Sequence, residues 1–357
     1  VPIVLNVVWI ATLYVAEPLG ITGDEATAKF LSWSLCVGGF AQLALVVVPL
    51  MRMKALQRPP LQWPAKGTQS RAVFVAMAPT VLGMSLGQIS TLIDQTMAYS
   101  LLGEGANTYL YLANRLLLFP HAMTALAVVV AVFPKLASDA TEVDRATMRT
   151  TLDRAAAAML FVTVPAAMGL FVLADDVVAG LFIRGNFSDE DAHATALTTR
   201  FLLIGLPFLG LSQLYARGYY ALALTKAPAR IAAWLLAANV ALNAILIGVF
   251  SMGTEGLAAS TSFCAIANAA WLAVVLRRDV PRAPVRRGLW LRNVLATAAM
   301  CAAILLVRPE QADSRTAILL WRVAMPITVG IAVYFLAHVA MRSEEIDTLR
   351  RRKQRPS

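Results

Sequence analysis

Apolar residues run along this chain in long, nearly unbroken stretches, separated by short polar punctuation. A window of about 20 residues is enough to cross roughly 30 Å of hydrocarbon. It predicts about ten transmembrane helices, near 1–16, 28–50, 72–100, 107–134, 154–174, 195–224, 228–250, 254–276, 289–307 and 317–341. Pro59-Pro60, Gly103-Glu104-Gly105, Pro228 and Gly253 fall between or at the ends of these runs, where breakers belong. Backbone polar groups must be paired inside lipid, so the spans are helices and not open strands. The expected fold class is an all-α integral membrane protein with little room for a soluble domain. The outer connection 175–194, from Asp175-Asp176 through Arg184-Gly185-Asn186-Phe187 to Asp191, predicts a short helix at the membrane interface.

Composition sharpens this picture. Of 357 residues, 59% are hydrophobic and 15% charged, against about 25% charged in ordinary globular chains. Cys36, Cys264 and Cys301 all lie in apolar runs without CxxC spacing, so they read as small buried hydrophobes. Val1-Pro2-Ile3 leads straight into an apolar run without Met or a charged n-region, which predicts no signal peptide and a start within a larger protein.

The net charge of +10 suggests nucleic acid only until the basic residues are placed. Alternate connections (51–71, 135–154, 217–230, 277–292 and the tail from Arg342) carry 24 of the 31 Lys and Arg. The opposite side carries five, and Arg115 and Arg322 lie inside spans. This asymmetry places the basic loops and the C-terminus in the cytoplasm and removes the need for a nucleic-acid partner. The Arg350-Arg351-Arg352-Lys353 cluster is expected to rest on anionic lipid headgroups.

An ionisable residue at the bilayer centre costs at least ~2.5–3.5 kcal/mol, so each needs a reason. Arg322 is close enough to the outer end of the last span to snorkel. Asp94 and Arg115 sit ten residues before and eleven after Glu104, on the two arms of one hairpin and at similar depth. Gln88, Ser90, Thr91, Gln95, Thr96, Thr108 and Asn114 share those arms. Two readings follow: an ion pair that holds the hairpin in register, or a water-filled cavity for a polar or anionic substrate. The Arg fork suits phosphate. Gly83 and Gly87 form a small-xxx-small pair for close packing. Pro79, Pro120, Pro165, Pro207 and Pro326 are expected to kink or hinge spans, and His121 beside Pro120 reads as structural. No zinc spacing, P-loop, GxSxG or other enzyme signature is found, so no enzyme and no metal site is expected.

Particular segments resemble the MurJ/MviN family of lipid II flippases, within the multidrug/oligosaccharidyl-lipid/polysaccharide exporter superfamily. Pro2-Ile3-Val4-Leu5-Asn6-Val7 is similar to the family's fifth span, and Gly87-Gln88-Ile89-Ser90 to Asp94-Gln95-Thr96 is similar to its seventh. The most specific match is Tyr109-Leu110-Tyr111-Leu112-Ala113-Asn114-Arg115-Leu116 with Phe119-Pro120 and Phe133-Pro134-Lys135-Leu136, which resembles the eighth. Leu181-Phe182 with Arg184 to Ser188, and Tyr219-Tyr220 with Lys226 to Ile231, continue it.

The resemblance implies a two-lobed exporter of which this chain lacks the first four spans. Residues 1–50 would be the last two spans of an incomplete first lobe, and 51–71 a cytoplasmic linker. Residues 72–278 would be a six-helix second lobe, 279–341 two C-terminal groove helices, and 342–357 a basic tail. It implies transport of lipid II, or of another polyprenyl-diphosphate glycan, across the bacterial cytoplasmic membrane by alternating access. A transport-inactive scaffold for cell-wall synthesis is the alternative. Arg115, Asn114, Thr108 and Gln88 would contact substrate, and Asp94 would hold Arg115 or respond to a coupling ion. Asn114 and Leu118 stand where the family often has Asp and Glu. No cofactor is implied beyond coupling to membrane potential or a monovalent cation. Cell-wall synthesis proteins are possible partners.

Overall fold

The computed structural model describes residues 2–16, 18–21, 23–53, 69–123, 127–141, 145–278, 280, 287–309 and 317–341, which form twelve α-helices and no strand. They are α1 (Pro2–Ala16), α2 (Asp24–Arg52), α3 (Gln69–Leu101), α4 (Ala106–His121), α5 (Ala127–Asp139) and α6 (Ala146–Val172). Then follow α7 (Ala174–Phe182), α8 (Asp189–Ala221), α9 (Lys226–Gly248), α10 (Thr254–Leu276), α11 (Arg287–Val307) and α12 (Met325–Ala340), the last continuing a π-helical stretch Ile318–Ala324. Among the described residues, seven helices are long and apolar enough to cross a membrane. Lys54, Arg58, Lys66, Arg282, Arg286, Arg315 and the tail from Arg342 lie outside the described residues.

The chain divides into two compact units, residues 1–68 and 69–357. In the first, α1 and α2 pair, with Gly38 lying against Leu5. The second is built on α6, α8 and α10. Met148, Leu152 and Met159 of α6 meet Leu211, Leu214 and Tyr219 of α8 and Leu272 and Leu276 of α10 in one cluster. Ala113 and Leu117 of α4 join Leu202, Leu203 and Leu206 of α8 and Ala258 of α10 in a second. Outward-facing residues such as Trp234, Val249 and Leu306 are apolar and exposed, as lipid contact requires. Because lipid is as apolar as leucine, the helices are held by close packing and polar contacts more than by hydrophobic exclusion.

Two small residues show that packing directly. A Cβ at Gly205 of α8 would lie 2.9 Å from the Ser262 Cα of α10. Ser262 Oγ accepts from the Gly205 N–H at 3.1 Å and donates to the Phe201 carbonyl at 2.5 Å. Gly83 of α3 lies against the Ala229 backbone of α9, whereas Gly87 meets open space, so only half of the small-xxx-small pair is a packing contact.

The fourth predicted span, 107–134, holds both α4 and α5; α4 ends at His121, one residue after Pro120, and runs into a π-helical turn at 122–123, with 124–126 outside the described residues. Proline removes a backbone donor, so the helix loosens around it. The last span also starts irregularly, its π-helical turn running into Pro326 at the head of α12.

Candidate functional site

The buried stripe of α4 is Ala106, Leu110, Ala113, Leu117 and Pro120. Arg115 lies two residues, about 200°, beyond Ala113, so it falls on the open side of the helix with Thr108, Tyr111 and Leu118, all exposed. Its guanidinium covers the Tyr111 ring at 5.1 Å and donates to the Tyr111 hydroxyl from Nε and Nη2, at 3.0 and 2.7 Å. No carboxylate among the described residues pairs with it. Asn114, half-buried, turns its amide onto the Leu110 carbonyl at 2.9 Å. Gln88 is exposed on α3.

Asp94 is elsewhere. It is 7% exposed, between α3, α9 and α10. Asn243 Nδ2 donates to one carboxylate oxygen at 2.6 Å and Thr261 Oγ1 to the other at 3.2 Å. Asn243 also contacts Asn239 Oδ1 at 3.4 Å and accepts from the Ser260 hydroxyl. Ser90 Oγ donates to Asn239 Oδ1 at 3.2 Å, and Asn239 Nδ2 donates to Ser260 Oγ at 3.2 Å.

Of the two readings, the ion pair between Asp94 and Arg115 is therefore not formed. The hairpin sets both residues at comparable depth, but helix rotation sends the acid inward and the base outward. The reading missed Asn239, Asn243, Ser260 and Thr261. Two asparagines four residues apart in an apolar span were the available signal, since they share one helix face.

A second charged cluster lies at α7. Asp176, its side chain 4% exposed, is held by Arg308 Nε at 2.6 Å, Arg308 Nη2 at 3.1 Å and Arg322 Nε at 3.2 Å. Burial pushes the Asp176 carboxyl above the usual range, while the two guanidinium groups pull against that shift. Arg322 thus does not snorkel to the headgroups but turns inward to Asp176. Nor does α7 simply lie on the interface: Asp176, Val177 and Val178 are buried, and Gly180 lies against Ile318 and Leu319. Beside it, Arg200 of α8 grips Asp175 at 2.5 and 3.3 Å. Arg200, Arg308 and Arg322 therefore serve the adjacent Asp175 and Asp176.

The C-terminal pair is fastened to α6 as well. The Tyr334 hydroxyl lies 2.6 Å from the Phe161 carbonyl and 2.8 Å from Asn293 Oδ1, and Asn293 Nδ2 donates to the Leu160 carbonyl at 3.1 Å. His338, fully buried, packs edge-on against Phe161.

A family profile described as "Lipid II flippase MurJ" matches residues 1–325. A protein of Bdellovibrio bacteriovorus named "Probable lipid II flippase MurJ" is 30% identical over 356 residues, 99% of this chain and 66% of its own length. A Haemophilus influenzae protein of the same name is 32% identical over 325 residues, 87% of this chain and 60% of its own. This chain thus spans somewhat less than two thirds of these relatives. Among solved structures, "Lipid II flippase MurJ, inward closed conformation" shares the fold with TM-score 0.71 and 23% identity, over 96% of this chain and 67% of that one. An outward-facing multidrug transporter of the MATE family also shares it, with TM-score 0.50, 17% identity and coverage of 77% and 66%.

Proposed function

This chain belongs to the lipid II flippase MurJ family, and from that premise we propose that it carries the lipid-linked peptidoglycan precursor lipid II from the inner to the outer leaflet. The observation that carries the reading is Arg115, presented on the open side of α4 over Tyr111 with no carboxylate neighbour among the described residues. An arginine in a membrane span that no protein anion neutralises is suited to a diphosphate. Thr108 shares its face, and Gln88 is exposed on the neighbouring helix. Asn114, tied to its own helix, contributes less. Alternating access moves the head group past Arg115 while the lipid tail stays against the C-terminal helices.

Asp94 is assigned a different part. Its buried carboxylate, with the Thr261 hydroxyl oxygen beside it, suits a proton or a hard monovalent cation, so the Asp94 network is the ion-responsive element. The basic bias of alternate loops supports a bacterial cytoplasmic membrane location with the C-terminus inside.

The test is depletion and complementation with the native gene product, comparing wild type, Arg115→Ala and Arg115→Lys at matched membrane levels. Outer-leaflet lipid II is quantified. Wild type restores it, Arg115→Ala does not, and Arg115→Lys restores it in part. If wild type leaves lipid II inside, the cargo is another polyprenyl-linked glycan or the protein is a scaffold. Full activity of Arg115→Ala would refute the role of the arginine.

A further inference from the structure

Two arginines of the second unit share one setting. Arg217 of α8 lies over the Phe133 ring of α5 at 5.5 Å, much as Arg115 lies over Tyr111. Arg149, Arg200, Arg308 and Arg322 each hold a carboxylate. Among the described residues no carboxylate lies within ion-pair distance of Arg115 or Arg217.

One turn back from Arg217, on the same face of α8, stands Gln213, exposed although its neighbours Ser212 and Leu214 are buried. Its Nε2 lies 3.1 Å from Nε2 of His121, the last residue of α4. An amide nitrogen can only donate, so the imidazole Nε2 accepts and the ring proton sits on Nδ1. That Nδ1 is buried without a partner among the described residues. The histidine thus fixes the glutamine, whose carbonyl oxygen keeps no partner among the described residues.

The positions also form a sequence in depth. His121 is six residues, about 9 Å, along α4 from Arg115, and Arg217 is four residues, about 6 Å, along α8 from Gln213. Arg115, the His121–Gln213 pair and Arg217 therefore descend in steps toward the basic connection that begins at Arg217. An arginine that serves only as a topological anchor needs neither an aromatic platform nor an oriented amide beside it.

We propose that Gln213 and Arg217 form an inner station for the transported head group, below Arg115. Arg217 takes phosphate oxygens with its planar fork, and Gln213, oriented by His121, takes the hydroxyl or amide groups of the attached sugar. The inference rests on the flippase reading and extends it to a second anchoring level on the cytoplasmic side.

The test measures binding of purified lipid II to the full native protein in nanodiscs, with inorganic pyrophosphate as competitor. Variants are Gln213→Ala, Arg217→Gln, Arg217→Lys and Arg115→Ala, each checked for an unchanged thermal midpoint. The expected result is roughly tenfold weaker binding in Arg217→Gln, weaker pyrophosphate competition, and an intermediate loss in Arg217→Lys and Gln213→Ala. If Arg115→Ala weakens binding while both the Gln213 and Arg217 variants bind as wild type, the inner station is refuted and the flippase reading stands. If wild type binds no lipid II, the flippase reading fails and the station fails with it. Should Arg217→Gln misfold, Arg217→Lys carries the test, because it keeps the charge and removes only the fork.

Discussion

Asp176→Ala removes a single carboxylate and strands two arginines. In the native protein Arg308 reaches both carboxylate oxygens and Arg322 reaches one. The arginine side chains are 26% and 22% exposed, so they are partly but not fully able to turn to water. Removing one partner of a buried pair typically costs ~3–5 kcal/mol. Partial exposure of the cations lowers this to about 2–3 kcal/mol. The neighbouring Asp175→Ala is the internal control. Its carboxylate is 40% exposed, so losing its Arg200 bridge should cost only about 0.5–1 kcal/mol. The assay is denaturation of the purified protein in detergent, following the unfolding midpoint. A third variant separates charge from packing: Asp176→Leu combined with Arg308→Leu and Arg322→Met replaces the whole triad with apolar groups. Such replacements are often neutral or stabilising, so this variant should recover most of the loss. The reasoning is refuted if Asp176→Ala shifts the midpoint no more than Asp175→Ala. It is also refuted if the apolar triad stays as unstable as the single variant.

Further outcomes follow from the same geometry. Burial raises the folded-state pKa of Asp176, so its linked stability is full below the ordinary aspartate value of about 3.9 and is lost as pH rises through the raised value. Asp176→Asn should therefore flatten the fall in midpoint across that window, measured by denaturation at stepped pH. Added monovalent cation should raise the midpoint of wild type but not of Asp94→Asn, which keeps the shape of the site and loses its charge; equal responses would remove Asp94 from the ion-responsive role. Gly205→Ala should cost about 1–3 kcal/mol by overpacking, and adding Ser262→Gly should restore little, because the Ser262 Cα is itself 2.9 Å from the new Cβ. Tyr334→Phe removes the hydroxyl that spans Phe161 and Asn293 and should cost about 1 kcal/mol, read as greater mobility of a spin label on α12; unchanged spectra would count against this anchor.

The membrane class, the approximate spans, the loop asymmetry and the family resemblance could all be read from the chain before its fold. These follow from the length of apolar runs, the placement of Lys and Arg, and the Tyr109 to Leu116 motif, all properties of residues taken in order. The irregular end of α4 was half legible: Pro120 marked it, yet the apolar run through 107–134 gave no sign of the π-helical turn at 122–123. What tertiary structure alone decided was which side each helix turns to its neighbours. Lipid and protein interior are equally apolar, so a span that is hydrophobic all round does not reveal its buried face by periodicity. Asp94 and Arg115 matched in depth and charge, but rotation gave the acid to Asn243 and Thr261 and left the base on open Tyr111. Arg322 looked like a snorkelling residue because Asp176 lies 146 positions away in sequence. The partnership exists only because packing α7 against the π-helical stretch brings a buried carboxylate to it.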